Sequence, residues 1–210
     1  MGKNLEPKCK QCRRAGEKLM LKGERCFSPK CAIVKRNYPP GIHGPKTSGK
    51  QKKSEYALQL IEKQKARKQY GLMEKQFRLT FERASRKQGR TGINFLQLLE
   101  SRLDNVVFRL GFAPSRNRAR QLVNHGHFLV NGRRVNIPSY EIKEGDIIEV
   151  KKESKRKKVF KNPAEKIKNQ EIPGWLNLDK EELKGKVLHA PGEEELPGDI
   201  NTQVIIEFYS

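Results

Sequence analysis

The 210-residue chain carries 45 Lys and Arg against 24 Asp and Glu, a formal net charge of +21 at pH 7. Such an excess opposes compaction by self-repulsion and draws polyanions, nucleic acid first and an anionic membrane surface second. No apolar run approaches the ~20 residues of a bilayer span, and the opening MGKNLEPK has neither a secretory h-region nor, with Glu6 where Ser or Thr is wanted, the myristoylation pattern.

A cytosolic chain with reduced thiols is therefore expected. All four cysteines lie between Cys9 and Cys31, as C-x2-C, thirteen residues, then C-x4-C. Two short pairs of soft thiolates suit a closed tetrahedral zinc site of Cys9, Cys12, Cys26 and Cys31. A four-cysteine iron–sulfur cluster or free thiols are the alternatives, and the pair CKQC lacks the βαβ surroundings of a redox motif. A closed site leaves no position for chemistry, so one structural zinc ion stapling a basic arm is expected. Charge is uneven along the chain: residues 1–53 hold 15 basic and 3 acidic residues, residues 171–210 hold 3 and 9. That asymmetry suggests one face for a polyanion and another turned away from it.

After the cysteines, RNYPPGIHGPKTSGKQKK is too rich in Pro and Gly for regular structure. Ser54 then caps a predicted helix through EYALQLIEKQKARKQY, closed at Gly71. A second covers MEKQFRLTFERASRK, with Met73, Phe77, Phe81 and Ala84 at helical spacing, broken by Gly89 and Gly92. INFLQLLESRLDNVVFRLG reads as one continuous third helix, and Ser115 caps a fourth, RNRARQLVNH. The period then drops to two. Phe128 and Val130 lead to Asn131-Gly132, a type I′ turn signal, and Arg133, Val135 and Ile137 continue beyond it. Ile147 to Val150 forms another strand. KKESKRKK is a charge run, solvated by default but able to touch phosphates. LDKEELKGKVLH reads as a short helix after Asn177, and INTQVIIEFYS is left between helix, with Asp199 as a cap, and strand.

The informative module runs from about Leu96 to Val150. Arg102, Arg109, Arg116, Arg118 and Arg120 surround an apolar seam, with Ser115 and the start of the second helix as an anion site and Arg133 and Arg134 at the hairpin. Arginines spread over two helices and a hairpin suit folded RNA better than base-edge readout of a DNA groove. For any single arginine the competing explanation is pairing with Glu100, Asp104 or Glu149 inside the fold.

The stretch LLESRLDNVVFRLGFAPSRNRARQLVNHGHFLVNGRRVNIPSYEIKEGD resembles the RNA-binding module named after bacterial small-subunit ribosomal protein S4. The flanks NYPPGIHG, SEYALQLIEKQKARKQYGLMEKQFR and INTQVIIEFYS resemble the ribosomal family itself, in the same order. Ile42 stands where that family usually has glutamine, and Ser115, which keeps the hydroxyl, where threonine is common. Only some members keep four cysteines. The resemblance implies an α+β fold: an N-terminal zinc-binding basic arm (1–50), a mainly helical domain (51–95 and 171–210), and an inserted RNA-binding module of two helices and a small antiparallel sheet (96–160). It implies a structural constituent of the small subunit, in the cytoplasmic or an organellar ribosome. The expected partners are the 5′ domain of 16S rRNA, the neighbouring ribosomal proteins S5 and S12 and the nearby mRNA path, with an influence on decoding accuracy. Expected RNA contacts are Arg13, Arg14, Lys35, Arg36, Tyr38, His43, Lys53, Tyr56, Arg67 and Lys68 before the module. Within it they are Arg102, Arg109, Ser115, Arg116, Arg118, Arg120, Gln121, His125 and Arg133.

Catalysis is not expected. His43, His125, His127 and His189 are scattered, no G-x-x-x-x-G-K-[ST] or H-E-x-x-H occurs, and no length remains for a separate catalytic domain of ~100–150 residues. An RNA-modifying enzyme and a DNA-binding zinc protein are the rival readings.

Overall fold

The computed structural model describes residues 4–47, 53–157, 160 and 172–210, which fall into two compact units, 1–92 with 197–210 and 93–196. Among the described residues no helix is long and apolar enough to cross a membrane.

In the first unit four short helices, α1 (Lys8–Ala15), α2 (Glu24–Phe27), α3 (Ala32–Lys35) and α4 (Gly44–Thr47), precede two longer ones, α5 (Glu55–Gln69) and α6 (Glu74–Ser85). Strong helix formers fill α5, and Ser54 caps it by accepting a hydrogen bond from the Ala57 N–H at 3.3 Å. Phe77, Phe81 and Ala84 bury one face of α6, as their spacing predicts.

The C-terminal segment, undecided in the sequence, is helix α11 (Thr202–Tyr209). Asn201, not Asp199, is its cap, its side-chain oxygen accepting from the Gln203 and Val204 N–H groups. Helix prevails because Ile205 buries on one stripe while Tyr209 stacks on Phe81, 4.6 Å between rings, and Phe208 meets Tyr56 at 5.7 Å. A strand would send alternate residues to opposite faces and lose that stripe. The Asn201 N–H also donates to Glu62 Oε1 at 2.8 Å, fixing the segment on α5.

The second unit begins near the start of α7 (Thr91–Glu100), followed by α8 (Leu103–Arg109) and α9 (Arg116–Asn124). The predicted continuous third helix is thus two. Arg102 takes extended backbone and bridges Glu141, while Leu103 N–H donates to Tyr140 O and Ile142 N–H to Ser101 O, both at 2.8 Å. A crossing segment takes over the helix's own hydrogen bonds at that point, a long-range event that periodicity does not register.

The sheet is antiparallel, in the order β2-β1-β3-β5-β4. Its strands are β1 (Phe128–Val130), β2 (Arg133–Arg134), β3 (Ile147–Val150), β4 (Leu176–Asp179) and β5 (Lys184–Val187), with a short helix α10 (Lys152–Lys155) after β3. The β1–β2 turn has φ of 50° at Asn131 and 75° at Gly132, both positive as a type I′ turn requires. β2 stops at Arg134, short of the Ile137 expected in it.

The helix expected after Asn177 is instead the β4–β5 hairpin. Asp179 Oδ1 accepts from the Glu181 and Glu182 N–H groups, an Asx turn that reverses the chain, and Leu176, Leu183 and Val187 bury on the core face. Because β5 pairs with β3, residues 172–196 belong to this unit and not with 51–95 as the expected boundaries had it. Trp175, Phe128, Phe112, Phe160, Val106, Leu110 and Ile148 centre one continuous core between the helices and the sheet.

Candidate nucleic-acid interface

The module's arginines divide into two sets. Glu100, 1% exposed, accepts from Arg109 Nε and Nη2, each at 2.9 Å, and from Asn105 Nδ2 at 2.7 Å. Arg116 lies 3.6 Å from the same carboxylate, donates to Asn105 Oδ1 at 2.7 Å, and sits 4.9 Å over the Phe108 ring. Asp104 forms a second hub. Arg102 grips it through Nε at 3.1 Å and Nη2 at 2.9 Å, and Arg120 adds a bond at 3.2 Å. Arg102, Asp104 and Arg120 are all buried. Burial lowers the Arg120 pKa and Asp104 opposes that shift, but a guanidinium stays charged in either case. A buried carboxylate needs this many donors, since an unpaired buried charge costs several kcal/mol.

Arg102, Arg109, Arg116 and Arg120 therefore serve the fold, whatever else they touch. Ser115 is also buried, its hydroxyl accepting from the Arg118 N–H as the cap of α9.

The second set faces outward. Arg118, half-buried, bonds Gln121 Oε1 at 2.9 Å on α9, and Gln121, His125, Arg133 and Arg134 are exposed. A Cβ at Gly126 would come within 2.8 Å of Arg134 Cζ, so that guanidinium covers the corner where α9 meets β1. His127, at the same corner, holds Ser154 Oγ at 2.9 Å and meets Phe160 edge-on at 5.9 Å. Burial pushes its pKa below the ordinary histidine value, and Lys157, His125, Arg118 and Arg134 push it further. Lys152, Arg156 and Lys157, from the charge run, are exposed. The α9 face, the hairpin turn and α10 thus give a polar, cationic surface with exposed imidazole and amide groups among the charges. Such a surface pairs with phosphate and hydrogen-bonds bases or 2′-hydroxyls.

In the first unit, Arg14, Lys35, Arg36, His43, Lys53 and Tyr56 are exposed. Arg13 is anchored, Nε donating to Tyr38 O at 2.9 Å and Nη2 to Pro39 O at 3.1 Å, with its guanidinium 4.6 Å over the Tyr38 ring. Arg67 bonds Gln64 Oε1 at 2.9 Å and lies 3.5 Å from Glu74, and Lys68 is half-buried, its pKa lowered by burial and then by Arg67. Lys63 and Lys65 look equally cationic in the sequence but are buried, Lys63 on Glu74 at 2.7 Å and Lys65 on Glu17 at 2.9 Å. Ile42 is 92% exposed.

The cysteines lie on or beside the three short helices of the arm. Cys9 and Cys12 share α1, Cys26 is on α2 and Cys31 precedes α3, yet among the described residues no three His, Cys, Asp or Glu side chains are gathered to hold a metal ion. The donor chemistry is right in kind: four thiols, with the Lys22 N–H donating to Cys26 Sγ at 3.3 Å. Burial raises the Cys12 pKa, the Leu19 backbone opposes it, and the nearby Cys26, Cys9 and Cys31 add to the rise.

Two family models match, the ribosomal protein S4/S9 N-terminal domain over residues 3–100 and the S4 domain over 101–148. The chain is 54% identical over 210 residues, all of both chains, to small ribosomal subunit protein uS4 of Thermus thermophilus. The chain belongs to the uS4 family of small ribosomal subunit proteins. The relative of the same name from Syntrophomonas wolfei is 53% identical over 210 residues, again all of both chains, and that from Acetivibrio thermocellus 55% over 202 residues, 96% of each. The S4 domain match takes in α8, α9, the β1–β2 hairpin and the start of β3, and so both sets of arginines.

Proposed function

We propose that this chain is a structural constituent of the cytoplasmic small ribosomal subunit, a non-enzyme that binds the 5′ domain of 16S rRNA and helps nucleate assembly of the subunit body. The observation that carries this reading is the end-to-end identity with uS4 relatives, 54% with no part of either chain left out. The outward cationic set is consistent with it. Arg118, Gln121, His125 and Arg133 are assigned to RNA in the S4 domain. Arg13, Arg14, Lys35, Arg36, Tyr38, His43, Lys53, Tyr56, Arg67 and Lys68 are assigned to it in the first unit. Contact with S5 and S12, a place near the mRNA path and an influence on decoding accuracy belong to the same reading. Small subunits isolated through a high-salt wash should retain the tagged chain at one copy per particle. Recovery of the chain only in the free-protein fraction would reject the assignment.

We further propose that Cys9, Cys12, Cys26 and Cys31 bind one structural zinc ion. Four soft donors in two short pairs, on a segment with an N–H already directed at Cys26 sulfur, support it. Zinc would draw the pairs together and stiffen the basic arm, with no role in chemistry. Elemental mass spectrometry should find one zinc per chain, lost together with protection of the thiols from alkylation. Native protein free of zinc with all four thiols freely alkylated would contradict the site.

A further inference from the structure

The turn dipeptide Asn131-Gly132 is also the place where the chain is most open to losing a side-chain amide. The nitrogen of a glycine has no Cβ beside it to block its approach to the preceding carboxamide, and asparagine is among the thermolabile residues. No other asparagine of the chain is followed by glycine. Both residues are exposed, and a Cβ placed on Gly132 would meet nothing within 4 Å, so water reaches the turn freely. In an unfolded chain nothing holds the reacting groups apart.

The folded hairpin commits the carboxamide elsewhere. Asn131 lies opposite Ile147, one residue beyond the Val130–Ile148 pair of β1 and β3. Its backbone N–H donates to Ile147 O at 2.9 Å. Its side chain continues the pairing: Oδ1 accepts from the Ile147 N–H at 2.9 Å, and Nδ2 donates to Asp146 Oδ1 at 2.8 Å. The other Asp146 oxygen accepts from the Lys143 N–H at 2.8 Å, which fixes that carboxylate. For the Gly132 nitrogen to reach Cγ, the carboxamide must rotate and both of its bonds must open together. Glycine or aspartate could supply the positive φ at position 131, but asparagine alone of the three offers Ile147 an acceptor and Asp146 a donor. Aspartate there would set two carboxylates against each other.

We propose that Asn131-Gly132 is a latent deamidation site, which the pairing with Asp146 and Ile147 keeps closed while the hairpin is folded. Once it opens, the Gly132 nitrogen attacks Asn131 Cγ and gives up its proton. The Cγ–Nδ2 bond breaks, and Nδ2 leaves as ammonia with that proton. Water then opens the cyclic imide at either carbonyl, leaving aspartate or, with the main chain rerouted through the side chain, isoaspartate. Nothing is oxidised or reduced. Either product has a carboxylate and no Nδ2 donor, so the bond to Asp146 cannot re-form.

The full chain is incubated at mildly alkaline pH as wild type, in buffer and in urea, and as Asp146→Ala, Asp146→Asn and Asn131→Gly in buffer. Isoaspartate is read by enzymatic carboxyl methylation, and its position by mass spectrometry of the peptide holding residue 131. Asn131→Gly keeps the turn but has no amide to lose, and sets the background. Native wild type should react about thirtyfold or more slowly than the chain in urea, since two hydrogen bonds, one to a charged acceptor, must open together. Asp146→Ala should recover about tenfold of that rate, the share of the charged bond. Asp146→Asn, which keeps the shape and one acceptor oxygen, should fall between, and its acceleration decides the matter if circular dichroism shows Asp146→Ala unfolded.

Native wild type reacting as fast as the chain in urea would overturn the proposal, as would no reaction at residue 131 in urea. Folded Asp146 variants as slow as wild type would overturn it as well. Hydrogen exchange at the paired Phe128 and Val150 should be unchanged in the folded variants. An acceleration matched by an equal loss of protection there would assign the effect to general unfolding and remove the role given to Asp146.

Discussion

Glu100 and Arg118 show how differently two charged residues of one small domain are used. The Glu100 carboxylate, 1% exposed, is met by Arg109, Arg116 and Asn105, so removing it leaves buried donors without their acceptor. Glu100→Ala should cost about 3–5 kcal/mol in chemical denaturation, the range for breaking a buried pair from one side. The double variant Arg118→Gln/Arg133→Gln should unfold within about 0.5 kcal/mol of wild type yet bind 5′-domain rRNA more weakly, with a shallower salt slope. Equal stability losses in the two proteins would erase the distinction. Sequence could place all these arginines beside an apolar seam, and it could name Glu100 and Asp104 as rival partners. It could not decide between rRNA and carboxylate, because that choice depends on which side chains the break at Arg102 turns inward. The same limit applies to Lys63 and Lys65, whose burial follows from packing against Phe208, Glu74 and Glu17 and not from their neighbours in the chain.

Elements were legible where local chemistry agrees with the fold. Ser54 and Ser115 cap their helices, Asn131-Gly132 turns the first hairpin, and α6 buries the face its spacing marks. They were illegible where a distant segment decides. LDKEELKGKV has helix-forming residues, but its backbone joins β3, with Gly185 paired to Ile148 and Lys184 to Glu149. Gly185 also permits a close approach: a Cβ there would stand 2.8 Å from Cδ2 of Leu110, the residue that ends α8, so the strand and the end of that helix meet with no room between them. Gly185→Ala should destabilise the domain by about 1–3 kcal/mol through overpacking, read as a lowered denaturation midpoint. A midpoint at or above that of wild type would show that the hairpin does not sit against the helix. The C-terminal segment was undecided for a related reason, since its Val and Ile residues favour strand locally and only the Asn201 cap and the aromatic contacts with α5 and α6 make it helix.

At the scale of the whole molecule, 45 Lys and Arg against 24 Asp and Glu leave a surplus of +21 however the charges are paired. Each compact unit keeps its own outward basic surface, the arm and α5 in one and the α9 face, hairpin and α10 in the other. If RNA is bound at many phosphates, affinity should fall steeply with salt, while selection among folded RNAs is made by shape and 2′-hydroxyl contacts. Duplex DNA satisfies the charge but not the shape. The central claim is best tested by competition at physiological ionic strength between the 5′-domain fragment of 16S rRNA, an unrelated structured RNA of equal length and duplex DNA. The 5′-domain fragment should displace both others and be displaced by neither at equal concentration. Equal affinity for all three, or a preference for the duplex, would contradict it.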